Sequence, residues 1–402
     1  MRRLSFPREE RSKEAMKNRT TQCNAVDVAR WLSSDECHEL DDEHMMSGLG
    51  QRLRSLGMPI DRIGLHLRTL HPHILARSIL WSPGEPVHIV DREAIAGPLP
   101  GSLNSLLERV RRTREWVIEH SYSEEPLLEW FDVYKGYQLK GFVAAPLVMD
   151  RDPAGVAVFA TRSTRKFTSA TIKVLADIVP PLRCACEIRL LRKTESTLLD
   201  TYVGPVTGRL VLDGRIRRGD VETLQAALLL SDLRDFTILS NQLPPREILE
   251  RLNLYFDQVV PAITERGGEV LKFMGDAVLA LFNLDGGPAQ SCAAAFDAAR
   301  QTLSSLDYIS QAGSPLIVGM ALHHGEVAYG NIGSEQRLDF TVIGRDVNLL
   351  SRIQTACATT GHPLLMSSQF AALLRWQGSR SIGRCSLKGF PDPIELYTVD
   401  LT

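Results

Sequence analysis

Residues 267–282, GGEVLKFMGDAVLALF, constrain the fold more than any other segment, because two apolar runs flank a Gly-Asp turn. Apolar runs on either side of a short glycine-containing turn predict two antiparallel strands joined by a tight hairpin. Lys272 lies in the first run and Asp276 lies in the turn. Charged groups are costly in a buried strand pair unless they are paired or bind something. This hairpin therefore predicts a site as well as a packing unit.

The hairpin lies in the middle of a regular order of elements in the C-terminal half of the chain. Hydrophobic periodicity predicts a strand at 226–231, a helix at 246–266, two strands within 270–282, a helix at 290–306 and a strand at 316–323. This βαββαβ order is typical of a ferredoxin-like α+β fold. Such a fold often hosts two-metal phosphoryl transfer, although fold alone does not establish function.

The N-terminal half mixes helix and strand signals and predicts a separate α/β domain. We predict a polar lead at 1–24, the α/β domain at 25–192, a linker helix and connector at 193–223, and the C-terminal domain at 224–402. The segment RIGLHLRTL alternates apolar and polar residues, which predicts a half-buried strand, and a hairpin turn is predicted at 150–153. A long helix from about residue 169 is expected to be interrupted at Pro180 and Pro181.

Composition excludes several classes of protein. The formal net charge of -2 argues against a general nucleic-acid binder, which normally has a strongly basic domain. The seven cysteines are scattered and predict reduced thiols rather than a disulfide framework. The sequence contains no apolar run long enough for a membrane span, and its charged beginning does not match a signal peptide. We therefore expect a soluble, cytoplasmic protein with no membrane or nucleic-acid partner.

Two carboxylates are the candidates for metal binding. Asp232 follows an apolar strand and Asp276 lies in the predicted hairpin turn. Either residue alone is more often a turn or cap residue. Adjacent strands would bring both to one end of the sheet, where a carboxylate pair favours a bound cation such as Mg²⁺.

Five motifs in order carry a resemblance to a known family. They are SDLRDFTILS, LNLYFDQVV, GGEVLKFMGDAVLALF, the segment from GMALHHGEV to VNLLSRI, and LKGF. Together they cover about residues 224–399 and resemble the catalytic domain of class III nucleotidyl cyclases. Five ordered motifs are far more specific than a single match.

The resemblance implies a fold, an activity and a set of site residues. The reaction would convert ATP to 3′,5′-cyclic AMP and pyrophosphate with two Mg²⁺ or Mn²⁺ ions in each site. Homodimer sites would take their metal ligands from one chain and their base-reading and transition-state residues from the other. The implied residues are the metal ligands Asp232, Asp276 and the Leu233 carbonyl, the substrate-binding residues Phe236, Thr237, Lys272, Thr341 and Lys388, and the catalytic residues Asn348 and Arg352.

Lys272 and Thr341 match the positions that select the purine. A Lys donor to N1 and a Thr acceptor for the 6-amino group fit adenine and oppose guanine. Lys272 therefore disfavours guanylate cyclase activity.

Asp235 departs from the family pattern, which has glycine at this position, and would repel phosphate unless it points away or pairs with Arg234. A non-catalytic or feebly active regulatory module with the cyclase fold is the alternative.

The N-terminal domain resembles a GAF-type sensor by element order and by its place upstream of a cyclase domain. It would bind an unknown small molecule, or it would only dimerise, and either way regulate a bacterial adenylate cyclase.

Histidine pairs and clusters are weaker signals. His323 and His324, and the group of His66, His71 and His73, are predicted to be structural rather than metal ligands. Arg337 is either a phosphate contact or a solvated loop charge.

Overall fold

The computed structural model describes residues 24–93, 101–121, 127–128, 133–149, 155–311 and 316–400. Two compact units divide the chain, Met1–Thr197 and Leu198–Thr402. All but the last residue of the predicted polar lead, and the predicted turn at 150–153, lie outside the described residues. No helix in the described ranges is both long enough and apolar enough to cross a membrane.

The first unit contains a six-stranded antiparallel sheet with the order β3-β2-β1-β6-β5-β4. Its strands are β1 (Arg62–Arg68), β2 (Ile74–Trp81), β3 (His88–Glu93), β4 (Val117–His120), β5 (Gly141–Leu147) and β6 (Gly155–Thr161). Its helices are α1 (Ala25–Leu32), α2 (Asp35–Glu39), α3 (Asp42–Ser55), α4 (Gly101–Thr113) and α5 (Ser169–Val203), the last of which continues into the second unit.

Both faces of the first sheet are covered, which corrects one prediction. The alternating sequence of β1 predicted a half-buried strand, yet its first six residues are all buried. Helices α1, α3 and α5 pack on one face of the sheet, against Ile63, Leu65 and Leu67, and the other face of β1 is covered at His66 by Tyr134 of a second core. His66 is accommodated there because its Nδ1 lies 2.9 Å from Ser78 Oγ and its Nε2 lies 2.8 Å from Tyr134 Oη.

Helix α5 runs without interruption through Pro180 and Pro181, so the predicted break is wrong. Each proline removes one backbone N–H donor, which normally kinks or ends a helix. Here Ile178, Val179 and Leu182 are buried in the core of the first unit and hold this turn in place. Tertiary packing therefore outweighs the local cost of the two prolines.

The second unit is built on an eight-stranded sheet with the order β13-β14-β12-β10-β7-β9-β8, and β11 pairs with β10. Its strands are β7 (Val221–Leu233), β8 (Glu269–Met274), β9 (Ala277–Phe282), β10 (Val318–Gly333), β11 (Leu338–Ile343), β12 (Leu364–Ser367), β13 (Ser379–Cys385) and β14 (Ile394–Val399). Its helices are α6 (Pro205–Leu212), α7 (Phe236–Gln242), α8 (Pro245–Thr264), α9 (Pro288–Gln311), α10 (Arg345–Thr360) and α11 (Ser368–Leu374). The order β7-α8-β8-β9-α9-β10 confirms the predicted βαββαβ pattern.

Strand β7 lies at the centre of this sheet and pairs with both β9 and β10. Ala227 and Leu229 pack under α8 and α9, while Leu228 and Leu230 face the core that includes α10. A charged side chain is disfavoured between two apolar faces, so it is expected near the end of such a strand. Asp232 lies near the end of β7, where the strand no longer pairs with β9 but still pairs with β10.

Candidate active site

The carboxylate pair forms where β7 ends beside the β8–β9 hairpin. Ser231 pairs with Val278 in the register of β7 and β9, so Asp232 lies one residue beyond that pairing. Met274 pairs with Ala277, which leaves Gly275 and Asp276 as a two-residue turn. Gly275 has φ of 70°, a conformation that glycine adopts without strain. Antiparallel pairing thus brings both carboxylates to one end of the sheet, as the sequence predicted.

The two carboxyl groups interact directly. Burial, followed by the hydrogen bond and charge of Asp276, raises the pKa of Asp232 to about 7. The preceding residue, Ser231, is buried, and its Oγ accepts a 2.7 Å hydrogen bond from the Tyr255 hydroxyl. Two like charges held this close favour either a shared proton or a bound cation.

A small, hard divalent cation fits this donor set. The described residues include no group of three or more His, Cys, Asp or Glu side chains that would form an all-protein cage. Mg²⁺ is commonly held by one or two carboxylates, with water and substrate phosphates completing its octahedron. Asp232 and Asp276 match the number of carboxylates that commonly hold such an ion, and the Leu233 carbonyl is the adjacent backbone oxygen.

The segment after Asp232 turns sharply into α7. Asp235 has φ of 58° and ψ of 20°, a left-handed conformation that explains why glycine suits this position. Phe236 packs against the core, and Thr237 is exposed. Asp235 is also exposed, so its carboxylate is solvated rather than paired with Arg234. Arg234 instead donates to the carbonyls of Cys357 and His362 at 2.9 and 2.6 Å.

Lys272 extends from β8 towards β11, where its ammonium donates to the Asp339 carboxylate. Thr341 is buried and lies two residues after Asp339, so the two residues occupy the same face of β11. The structure thus brings together the predicted base-reading position at Lys272 and the strand that carries Thr341. Asp339 was missed at the sequence level, although its two-residue spacing from Thr341 in LDFTVIG contained the signal.

Helix α10 carries Asn348 and Arg352, which are one helical turn apart and exposed on the same side. Within the described part of the chain, neither side chain makes a hydrogen bond or an ion pair. Gln354, which lies about 200° around the helix from Arg352, instead donates to Asp232 Oδ2 at 3.4 Å. Asp232 and the Asn348–Arg352 pair therefore lie on different flanks of α10.

The remaining candidate residues have mixed surroundings. Lys388 is exposed in the loop between β13 and β14, where Gly389 has φ of 88°. Arg337 is exposed in the turn before β11. His323 is buried, with Nδ1 2.7 Å from Ser367 Oγ and Nε2 3.5 Å from Asp346 Oδ1. Burial lowers the pKa of His323, in agreement with the predicted structural role.

Comparison with known proteins identifies one family for the second unit. Residues 221–400 match the family of adenylate and guanylate cyclase catalytic domains. The adenylate cyclase of Anabaena cylindrica is 32% identical over 194 residues, which cover 46% of this chain and 38% of that protein. The terminal-differentiation specific adenylate cyclase of Dictyostelium discoideum is 33% identical over 142 residues, covering 35% of this chain and 7% of that protein. The chain thus spans well under half the length of either relative.

Among solved structures, the adenylyl cyclase CyaB from P. aeruginosa is 27% identical to this chain. The alignment covers 45% of this chain and 96% of that chain, with a TM-score of 0.40.

Proposed function

We propose, from the premise that residues 221–400 belong to the family of adenylate and guanylate cyclase catalytic domains, that this chain converts ATP to 3′,5′-cyclic AMP and pyrophosphate. The observation that carries the proposal is the directly interacting pair Asp232 and Asp276 at the end of the central strands. A fold that maintains two adjacent carboxylates gains stability when a divalent cation neutralises them.

We assign Asp232, Asp276 and the Leu233 carbonyl as ligands of two Mg²⁺ or Mn²⁺ ions. When bound, such ions lower the pKa of the attacking ribose 3′-hydroxyl and offset charge on the phosphates. The backbone N–H groups of Phe236 and Thr237 would bind the triphosphate as α7 begins. Lys388, exposed on its loop, would contact the same phosphates.

Lys272 and Thr341 are the proposed adenine-reading residues. The ammonium of Lys272 would donate to N1 of adenine, while the buried Thr341 would accept from the 6-amino group. A 6-oxo purine would present N1–H to the ammonium and leave both donors unpaired, which weakens binding of GTP and gives selectivity for ATP. The ion pair with Asp339 supports this assignment because it holds the ammonium next to β11.

Asn348 and Arg352 are the proposed catalytic residues. Asn348 would orient the ribose, and Arg352 would stabilise the charge that grows on the α-phosphoryl oxygens. Both side chains are exposed on the flank of α10 away from Gln354, which contacts Asp232. We infer that the carboxylate pair and the Asn348–Arg352 pair of one chain serve two different sites, and that a second copy of the chain completes each of them. A symmetric dimer would then hold two sites.

The first unit is proposed to regulate the second as a GAF-like sensor or dimerisation module. Helix α5 supports this role because it begins in the first unit and ends at Val203, immediately before α6. A ligand that favours one arrangement of the first unit would then change how two catalytic units meet. Because the substrate ATP is intracellular, the proposed activity also requires catalytic units that face the cytoplasm.

A non-catalytic module is the second candidate, and Asp235 is the observation that favours it. A carboxylate beside the proposed triphosphate segment opposes phosphate binding, even though it is solvated. The chain has every site residue that the resemblance to class III cyclases implies, and this favours the active enzyme.

The test is to incubate the full-length protein with ATP or GTP and Mn²⁺ and to measure cyclic nucleotide by mass spectrometry. We expect cyclic AMP from the native chain and from Asp285→Asn, a matched change of an exposed aspartate. Asp232→Asn should abolish the product. Absence of any cyclic nucleotide from the native chain would support the non-catalytic module, and cyclic GMP alone would overturn the base assignment.

A further inference from the structure

Helix α10 is attached at two points to the strand end that carries Asp232. We propose that Gln354 and Arg234 are positioning residues that hold the Asp232 carboxylate in its metal-binding orientation and fix it to α10. This inference rests on the proposed function for the identity of the metal site, but its test measures metal binding separately from catalysis.

The first attachment is made by a neutral donor. The Gln354 amide donates to Asp232 Oδ2 at 3.4 Å and leaves Oδ1 free of that contact. An amide orients a carboxylate without neutralising it, so the negative charge remains available to a divalent ion. A Lys or Arg at this position would instead compete with the ion.

The second attachment is made by Arg234, two residues after Asp232. Its Nη2 donates to the Cys357 carbonyl at 2.9 Å and to the His362 carbonyl at 2.6 Å. The first carbonyl belongs to the last turn of α10 and the second follows its Gly361 cap. Carbonyls at a helix end have no partner within the helix, so a guanidinium there both satisfies them and ties the helix down.

The backbone of β10 approaches α10 closely beside Asp232, and the residue at the point of approach is Gly319. Gly319 of β10 lies directly opposite Asp232 in the strand register. A Cβ added at Gly319 would lie 3.1 Å from Cys357 Cβ and 3.5 Å from Gln354 Nε2. Glycine therefore permits the close approach of α10 to the strand end, and this approach lets Gln354 reach Asp232.

The arrangement gives α10 two separate tasks. Its exposed flank presents Asn348 and Arg352, whereas its inner flank supports the metal-ligand residue of its own chain. Because α10 is attached to the end of β7 that carries Asp232, its position also sets the positions of Asn348 and Arg352, which we propose act in the other site. Gln354 and Arg234 are distinct from the residues that would touch the nucleotide.

The test is calorimetric titration of the full-length protein with Mn²⁺ alone, without nucleotide. We expect Gln354→Met, which keeps the length of the side chain but has no N–H donor, to weaken Mn²⁺ binding about tenfold. Arg234→Met should have a similar effect, and Arg234→Lys a smaller one, because an ammonium cannot reproduce the guanidinium fork. Thr355→Ala is the matched control, since Thr355 is exposed on the same helix and, among the residues that the structure describes, its hydroxyl bonds only Ser351 O.

Cyclase assays of the same variants provide a second measurement, the dependence of the rate on Mn²⁺ concentration. Gln354→Met should raise the Mn²⁺ concentration for half-maximal rate about tenfold and leave kcat at saturating Mn²⁺ within about twofold of the native value. Native Mn²⁺ affinity in Gln354→Met would overturn the proposal, as would a loss of kcat that excess Mn²⁺ does not restore. If the native chain binds Mn²⁺ and Gln354→Met does not, but neither forms cyclic nucleotide, the proposed function fails and the positioning role stands.

Discussion

The Lys272 ammonium donates to the Asp339 carboxylate, so a cation on β8 is held beside the strand that carries Thr341. Asp339 is well exposed, so this ion pair adds little to stability and serves chiefly to orient the ammonium. The proposed adenine contact depends on that orientation.

We predict that Lys272→Glu lowers kcat/KM for ATP at least about 100-fold, because the N1 donor is lost and two carboxylates then face each other across the strands. The measurement is the ratio of kcat/KM for ATP to that for GTP, with Lys272→Met as the control that removes the donor without adding charge. An unchanged ratio in both variants would show that Lys272 does not read the base.

Mixing two inactive variants tests whether sites are shared. Asp232→Ala and Arg352→Ala each remove one half of the proposed site. Random assembly of equal amounts into dimers should leave about a quarter of all sites intact, and the mixture should recover about that fraction of the native rate. The measurement is the cyclic AMP rate after co-expression or subunit exchange. Activity no higher than that of the separate variants would contradict a site formed between chains.

The carboxylate pair predicts a dependence of stability on pH in the metal-free protein. Because the folded pKa of Asp232 is raised to about 7 from 3.8, its stabilising contribution is fully present below pH 3.8 and is lost progressively as pH rises from there to about 7. Above pH 7 the ionised pair opposes folding, and screening by solvent limits the expected effect to about 1–2 kcal/mol.

Asp232→Asn should therefore increase the free energy of unfolding most at pH 8 in EDTA and clearly less at pH 5. Urea denaturation of both proteins at the two pH values measures the difference, and saturating Mg²⁺ should remove the advantage of the variant at pH 8. Equal stabilities at pH 8 without metal would mean that the two carboxylates do not destabilise the fold.

The position of the carboxylate pair was predictable because it follows from strand order alone. Apolar runs fix where β7 and the hairpin end, and antiparallel pairing then requires Asp232 and Asp276 to meet. Gln354 and Arg234 were not predictable in this way. Their contacts depend on how closely α10 docks on β10, which Gly319 permits and no local pattern encodes.

The first unit shows the same limit of local patterns. The alternating sequence of β1 suggests one solvent-exposed face, yet Arg62 and His66 are buried on that face, where Arg62 donates to the Val133 carbonyl and His66 bonds the Tyr134 hydroxyl. Likewise, Pro180 and Pro181 carry a local signal for a break that burial of Leu182 overrides. Pairing between neighbouring strands was therefore readable from the sequence, whereas the depth of burial was set by distant elements.

The left-handed backbone at Asp235 gives the last prediction. Asp tolerates φ of 58°, but glycine adopts it without a Cβ penalty and brings no charge to the start of α7. We expect Asp235→Gly to lower KM for ATP several-fold and to leave the melting temperature nearly unchanged, because relief of strain offsets the added freedom of the unfolded chain. Asp235→Asn, which removes the charge and keeps a residue that tolerates this conformation, separates the two causes. If both variants lower KM equally, charge is responsible; if neither does, the Asp235 carboxylate lies too far from the phosphates to matter.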